Sequence, residues 1–245
     1  MNEYKKFGYY YDEVMQKLEY DLWVEFVEPY LKKEDKILDL ACGTGTFITM
    51  LKLKGFDVCG LDLSSSIIEI AKEKAKINHL HIPFYVMDMV DYKLDNKFNV
   101  ITCFFDSINF LNNKNKIKQM LNNIYNHLED NGYFICDIFS KVLLEEYDGS
   151  SLCEDYYNFK IDWKTKKSSP TSLKHIIKII EDDQEIVESY NEYYYEIKDL
   201  LNDKFELIKV SGDFNDDLTD EDEADSELKS TSFEIPYLNR TTPPA

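Results

Sequence analysis

The chain has 245 residues and a formal net charge of −19, with 47 acidic and 28 basic side chains. This length suffices for one α/β core with a small additional unit. Nucleic-acid binding depends on neutralising phosphates with Lys and Arg, so the charge disfavours RNA or DNA as a partner. The first residues lack the apolar stretch of a signal peptide, no membrane-length apolar run follows, and the five cysteines form no CxxC pair. We therefore expect a cytoplasmic protein with reduced cysteines, no metal site and no membrane partner.

An aromatic segment at residues 7–27 opens the chain. Its apolar side chains recur at i, i+3 and i+4, a spacing that predicts helix with a core-facing stripe. A second interpretation is that Tyr11 and its neighbours close over a bound cofactor.

Two strands that end in acids follow, separated by a glycine turn. Ile37–Leu40 carries Asp39 and leads to Gly43 and Gly45, and the next strand ends at Asp62. In a doubly wound α/β sheet, this arrangement binds a ribose-bearing cofactor at the C-terminal edge of the strands. A nicotinamide or flavin fingerprint needs a third glycine, where this chain has Ile48, and the lysine of a P-loop is also absent.

Further apolar runs continue the alternation of strands and helices. The predicted strands lie at 82–87, 98–104, 133–138 and 205–210, and Ser64 is the expected N-cap of the helix after the second strand. Strands that alternate with helices form a parallel sheet through right-handed crossovers.

The pattern Asp39-x-Ala41-x-Gly43-x-Gly45 resembles the first motif of class I S-adenosylmethionine-dependent methyltransferases. The small-molecule branch, with sugar N-methyltransferases and glycine N-methyltransferase-like enzymes, is the most similar. Ala41 stands where that family has its first glycine. The resemblance covers 1–140 and 192–211, and it implies a doubly wound, Rossmann-like, seven-stranded sheet with a small antiparallel β lid.

The resemblance also implies the roles of individual residues. Asp62 would accept both ribose hydroxyls, Asp88 the adenine amino group, and the Gly43–Gly45 turn would hold the methionine portion of S-adenosylmethionine. The expected cofactor-binding residues are Asp39, Ala41, Cys42, Gly43, Gly45, Asp62, Leu63, Asp88, Met89 and Phe104.

Asp106 is the expected acceptor-side acid, because it follows the fourth strand where doubly wound sheets place reactive groups. Its alternative role is to cap the following turn. Tyr11 is the second expected catalytic residue, in the helical cover that the resemblance places over residues 1–31. His175, Tyr193 and Tyr194 are alternatives.

Residues 141–191 depart from a minimal unit of this type. Three strand-like runs, at 156–165, 173–181 and 184–195, predict an antiparallel sheet over the C-terminal edge of the parallel one. We expect it to shape the acceptor pocket; a surface for homodimer formation is the alternative.

The tail, 212–245, combines an acidic linker with an uncertain C-terminal piece. Residues 213–227 hold nine acids and no base. Phe233, Ile235 and Tyr237 alternate as in a seventh strand, but Pro236 would restrict that strand to a sheet edge. A disordered extension, or an appended peptide that serves as a substrate, remains open.

The expected activity is transfer of a methyl group from S-adenosylmethionine to a small acceptor through an amine, an amino sugar or a hydroxyl. The acidic, aromatic-rich lid favours a neutral or cationic acceptor. Three alternatives stay open: methylation of a peptide, including the chain's own tail; a non-catalytic binding module; and an NAD(P) oxidoreductase.

Overall fold

The computed structural model describes residues 6–212 and 233–241. Its α-helices are α1 (Phe7–Val14), α2 (Tyr20–Val27), α3 (Thr46–Leu53), α4 (Ser65–Ile77), α5 (Lys114–His127) and α6 (Lys141–Glu146). Its strands are β1 (Lys36–Leu40), β2 (Asp57–Asp62), β3 (Phe84–Val86), β4 (Phe98–Cys103), β5 (Leu128–Cys136), β6 (Ile138–Phe139), β7 (Ser151–Asp155), β8 (Lys160–Ser169), β9 (Ser172–Glu181), β10 (Gln184–Tyr193), β11 (Phe205–Gly212) and β12 (Phe233–Arg240).

The main sheet has the strand order β3-β2-β1-β4-β5-β12-β11. Strands β1 to β5 are parallel, and β12 runs antiparallel to both β5 and β11. The short β6 continues the line of β5 and also pairs with β12. This architecture confirms the predicted doubly wound sheet of seven strands with a separate antiparallel sheet.

The placement of Pro236 corrects the expectation that the last strand lies at an edge. β12 lies inside the sheet, between β5 and β11. Its pairing with β5 covers Tyr237 to Asn239, and its pairing with β6 covers only Phe233 and Glu234. Pro236 therefore lies at the interruption between β5 and β6, where a missing N–H is tolerated. Residues 233–240 are sheet and not a free peptide, whereas the predicted acidic linker at 213–232 lies outside the described residues.

Apolar side chains cover both faces of the main sheet. On one face, α2 and α3 pack through Trp23, Val27 and Ile48, and on the other α5 packs through Ile117 and Leu121. The Ser64 side chain accepts a hydrogen bond from the N–H of Ile67, which confirms the predicted N-cap of α4.

The second sheet, called here the small sheet, has the order β10-β9-β8-β7. Four strands form it, and not the three that were predicted, because β7 precedes the first expected run and β8 begins at Lys160 and not at Tyr156. α1 packs on its inner face, where the Phe7 and Trp163 rings lie 5.4 Å apart and the Tyr10 hydroxyl donates to Glu181. α1 also contacts α4, where Asp12 pairs with Lys74, and therefore joins the small sheet to α4.

Other expected boundaries differ. The third strand is confined to Phe84–Val86, and the fifth begins earlier, at Leu128. Within the described ranges, no helix has the length and apolar content needed to cross a membrane.

Candidate active site

The glycine turn after β1 is built from residues with left-handed backbone. Ala41, Gly43 and Gly45 have φ values of 52°, 55° and 74°. A Cβ on Gly45 would lie 3.1 Å from the Cβ of Ala71, so glycine is needed there for both conformation and space. A Cβ on Gly43 would meet nothing within 4 Å, because Gly43 borders an open pocket. Ala41 adopts the conformation for which the family has glycine.

Two carboxylates face this pocket from the ends of β2 and β3. Asp62 accepts hydrogen bonds from the backbone N–H of Gly43, at 3.1 Å, and of Ser64, at 2.9 Å. Asp88 accepts from the N–H of Val90 at 2.9 Å. These bonds fix both carboxyl groups in position at the C-terminal edge of the sheet, where a doubly wound fold binds its ligand.

The N-terminal helices cover the pocket. Tyr11 and Tyr20 line it, and burial raises the pKa of Tyr20 to about 12. Asp12 holds the cover in place: its carboxylate accepts from the Thr44 hydroxyl at 2.5 Å and lies 2.7 Å from the Lys74 ammonium. α1 is thus attached directly to the glycine turn and to α4.

The turn after β4 is strained and is held by a buried acid. Phe105 and Asp106 both have left-handed backbone, with φ of 59° and 56°, which is costly for residues other than glycine. Asp137 accepts hydrogen bonds from the backbone N–H of both residues and, at 2.7 Å, from the indole N–H of Trp23. Burial nevertheless raises the pKa of Asp137 to about 6, against these hydrogen bonds, which lower it.

Asp106 is held next to the pocket but is not part of its lining. Its Oδ1 atom is buried and has no hydrogen-bond partner among the described residues. Burial raises the pKa of this carboxyl well above its ordinary value, and the charge of Asp137 adds to the effect. A buried carboxylate oxygen without a donor is costly unless a ligand or a proton satisfies it.

The pocket encloses about 990 Å³ of empty space, counting the part that opens to solvent. Eight of the twelve site residues expected from the sequence line it: Tyr11, Ala41, Cys42, Gly43, Asp62, Leu63, Asp88 and Met89. The other four, Asp39, Gly45, Phe104 and Asp106, do not. Phe104 is directed into the core against Phe47, and Phe105 occupies the position at the pocket that was expected of Phe104.

Asp39 lies inside the sheet, below the glycine turn. It is 4% exposed and accepts a hydrogen bond from the Thr102 hydroxyl at 2.7 Å. Burial raises its pKa to about 7, with a further contribution from the charge of Asp62. In this structure Asp39 links β1 to β4 and does not reach the pocket, so it can influence a ligand only through the turn.

Eleven further residues line the pocket although no sequence motif assigned them to it: Tyr20, Thr44, Thr46, Phe47, Leu61, Ser64, Ile67, Met87, Phe105, Ser107 and Phe110. Most are neighbours of predicted residues and would have been found by extending each motif by one or two positions. Tyr20 carries no such signal, because it reaches the pocket only through the packing of α2.

Comparisons with known proteins agree with this geometry. Residues 37–132 match the sequence model of a methyltransferase domain. A protein of Geobacillus sp., provisionally named a methyltransferase, is 28% identical over 89% of this chain and 95% of its own length. A Bacillus subtilis protein with a similar provisional name is 29% identical over 87% of this chain and 90% of its own.

Solved structures share the whole architecture. An S-adenosylmethionine-dependent methyltransferase from Clostridium acetobutylicum superposes with a TM-score of 0.80 at 23% identity, covering 98% of this chain and 100% of its own. A sugar N-methyltransferase from Streptoalloteichus sp. superposes with a TM-score of 0.75 at 15% identity, covering 99% and 95%. At these identities the likeness shows a common fold.

Proposed function

Because the chain is a class I S-adenosylmethionine-dependent methyltransferase, we propose that it methylates the nitrogen of a small amine, such as an amino sugar, and that Asp106 receives the proton of that nitrogen. The observation that carries this proposal is the buried, unpartnered Oδ1 of Asp106 at the C-terminal end of β4.

The residues of the pocket fit the cofactor. We assign the ribose hydroxyls to the carboxylate of Asp62 and the adenine to Asp88 and Met89. Gly43 leaves space for close backbone approach by the methionine portion, since nothing lies within 4 Å of its missing Cβ. Tyr11 and Tyr20 exclude water from above. The assignments of Asp39, Gly45 and Phe104 become indirect, because these residues support the pocket from behind.

When bound, the cofactor supplies a sulfonium-activated methyl group, so the chain's own task is to position the acceptor and remove a proton. An amine enters largely as an ammonium ion, whose nitrogen has no lone pair for attack. A carboxylate with a raised pKa, such as that of Asp106, is a better base than an ordinary aspartate and can take this proton. With its lone pair freed, the nitrogen could accept the methyl group that the cofactor would supply, and the sulfur would keep the electron pair of the C–S bond.

The names of similar proteins support an amino-sugar acceptor. One is the sugar N-methyltransferase from Streptoalloteichus sp. described above. Another, from Saccharopolyspora spinosa, is named a dTDP-4-amino-2,3,4,6-tetradeoxy-D-glucose N,N-dimethyltransferase and is 27% identical over 46% of this chain.

The test is an acceptor panel in matched pairs, each amino sugar or simple amine beside its hydroxyl counterpart. S-adenosylhomocysteine and the methylated product are both measured by mass spectrometry. We expect products from the amines. Methylation of the hydroxyl partners alone would overturn the amine assignment, and a mass gain on the protein itself would favour the peptide alternative.

A further inference from the structure

A second carboxylate, from the small sheet, lies near Asp106. Glu192 on β10 is 8% exposed. The pKa of Asp106 is raised mainly by burial, then by the charge of Asp137, and then by the charge of Glu192. The pKa of the Tyr147 hydroxyl is raised by burial and then by the charges of Asp106 and Glu192. These three groups come from separate segments, and β10 passes beside the segment that carries Asp106, because the Asn109 side chain donates to the Tyr193 carbonyl at 2.9 Å.

A hydrogen-bond chain orients Glu192. The indole Nε1 of Trp163 donates to Nδ1 of His175 at 3.1 Å, and Nε2 of His175 lies 3.1 Å from Oε2 of Glu192. An indole N–H can only donate, so Nδ1 must be the unprotonated nitrogen. The proton of a neutral His175 is therefore on Nε2 and is donated to the carboxylate of Glu192.

The same surroundings keep this pair rigid. His175 is 2% exposed, stacks on Tyr190 with 4.7 Å between ring centroids, and also meets the Thr165 hydroxyl at 3.0 Å from Nδ1. Asn109, in the segment after Asp106, donates to the carbonyl of Tyr193 at 2.9 Å and ties β10 to the main sheet. The position of Glu192 relative to Asp106 is thus fixed by packing.

Among the described residues, no Lys or Arg forms an ion pair with either acid. Across residues 6–212 and 233–241, no Lys or Arg nitrogen lies within 4.0 Å of Asp106 or Glu192; the ion-pair geometry of Glu192 is to His175 alone. Buried carboxylates normally have a cationic partner, because uncompensated charge is costly to bury. The unpartnered Oδ1 of Asp106 therefore offers an acceptor atom to a cation that binds from solution.

We infer that Glu192, held by His175, is the second carboxylate of the acceptor site and selects acceptors that carry a positively charged nitrogen. This inference rests on the proposed function and deepens it: Asp106 takes the proton, and Glu192 provides the fixed negative charge that attracts the ammonium ion. His175 is a positioning residue, since it acts through Glu192.

The test compares the wild type with Glu192→Gln and the matched control Glu181→Gln. Glu181 is another hydrogen-bonded carboxylate of the small sheet, but its partner is Tyr10, away from Asp106. Each protein is labelled with ¹³C-aspartate, saturated with S-adenosylhomocysteine and titrated by NMR. The Asp106 carboxyl signal is the one that is absent from the spectrum of Asp106→Asn. Methylammonium is the cationic probe and methanol the neutral one.

We expect the Asp106 carboxyl to titrate at lower pH in Glu192→Gln, because a repelling charge is removed, and to be unchanged in Glu181→Gln. Methylammonium should change the Asp106 signal in both proteins, but the concentration needed for saturation should be about tenfold higher in Glu192→Gln than in the wild type. Any response to methanol should be the same in both proteins. Unchanged affinity for S-adenosylhomocysteine and unchanged circular dichroism confirm that the variant is folded.

An unshifted Asp106 titration, or equal methylammonium response in wild type and Glu192→Gln, overturns the inference even if amines are methylated. Conversely, selective binding of methylammonium without turnover of any amine supports the cation site and contradicts the proposed reaction. The two failures are therefore distinguishable.

Discussion

The two halves of the site hold their carboxylates in opposite ways. In the cofactor half, Asp62 and Asp88 accept backbone N–H groups and line an open pocket. In the proposed acceptor half, the Oδ1 of Asp106 is buried without a hydrogen-bond partner among the described residues, and burial and the charges of Asp137 and Glu192 raise the pKa of this carboxyl. Hydrogen-bonded carboxylates are suited to hold polar groups of a ligand, whereas a destabilised carboxylate is suited to take a proton.

This contrast predicts that variants of the acceptor half alter turnover and variants of the cofactor half alter affinity. Asp106→Asn keeps the shape of the side chain but removes the base. We expect kcat to fall by roughly 10²- to 10⁴-fold with amine acceptors, while the affinity for S-adenosylmethionine, measured by calorimetry, stays close to that of the wild type. Retention of wild-type kcat would show that Asp106 is not the base; its side chain makes no capping hydrogen bond to the turn that follows it.

Asp39 should affect stability and not turnover. An acid whose native pKa exceeds its unfolded value binds more protons when folded, so the free energy of unfolding falls as pH rises between the two values. For Asp39 this window runs from 3.8 to about 7. Over the whole window, the pKa difference changes the free energy of unfolding by roughly 4 kcal/mol. This pH dependence should be absent from Asp39→Asn.

The measurement is urea unfolding of wild type and Asp39→Asn from pH 4 to pH 8. Asp106 and Asp137 are present in both proteins, so the difference reports Asp39 together with its coupling to Asp62 and Asp137. Asp57→Asn, at the exposed start of β2, is the control. Parallel pH profiles for wild type and Asp39→Asn would contradict the raised pKa.

Asp62→Ala should weaken the binding of S-adenosylmethionine. Each charge-assisted hydrogen bond lost to a ribose hydroxyl contributes about 1.5–3 kcal/mol. The matched control is Asp57→Ala, which removes a carboxylate from the other, exposed end of the same strand. Calorimetry measures the affinity of the folded variants for S-adenosylmethionine. Equal affinities of Asp62→Ala and the wild type would refute the assignment of the ribose to Asp62.

Substitutions in the glycine turn should distinguish the cost of steric crowding from the cost of a left-handed backbone conformation. Gly45→Ala should cost about 1–3 kcal/mol of unfolding free energy, because its Cβ is crowded by Ala71 and Phe84. Gly43→Ala should cost about 1 kcal/mol or less, since only its φ of 55° is unfavourable. Ala41→Gly should be neutral or slightly stabilising. Thermal unfolding tests this order, and equal losses for Gly43→Ala and Gly45→Ala would contradict it.

The cofactor half was predictable from sequence because its signals are local. A strand, a glycine turn and an acid at the end of the next strand lie within residues 37–62, and the carboxyl ends of parallel strands meet at one edge by topology alone. Phe104 was predicted to line the pocket, but Phe105 does so. Phe105 and Asp106 have left-handed backbone, which redirects the chain after β4, and no feature of the local sequence predicts that conformation.

In the proposed acceptor half, Asp106 was predictable from its place after the fourth strand, but Glu192 was not, because long-range packing brings it there. Glu192 belongs to β10 and Asp106 to the turn after β4, and only the docking of the small sheet brings them together. His175 was named as an alternative catalytic residue, but its role depends on Trp163 and Glu192, neither of which a motif identifies. The edge position predicted from Pro236 was wrong for a similar reason. The break between β5 and β6 that accommodates this proline arises from tertiary structure and is not visible in the local sequence.

A crystal structure of the protein with S-adenosylhomocysteine tests the division of the site most directly. We expect the ribose hydroxyls to bind Asp62, the adenine to lie beside Asp88 and Met89, and the sulfur to face the turn at Phe105 and Asp106. A sulfur atom directed away from that turn would contradict the proposed division of the site.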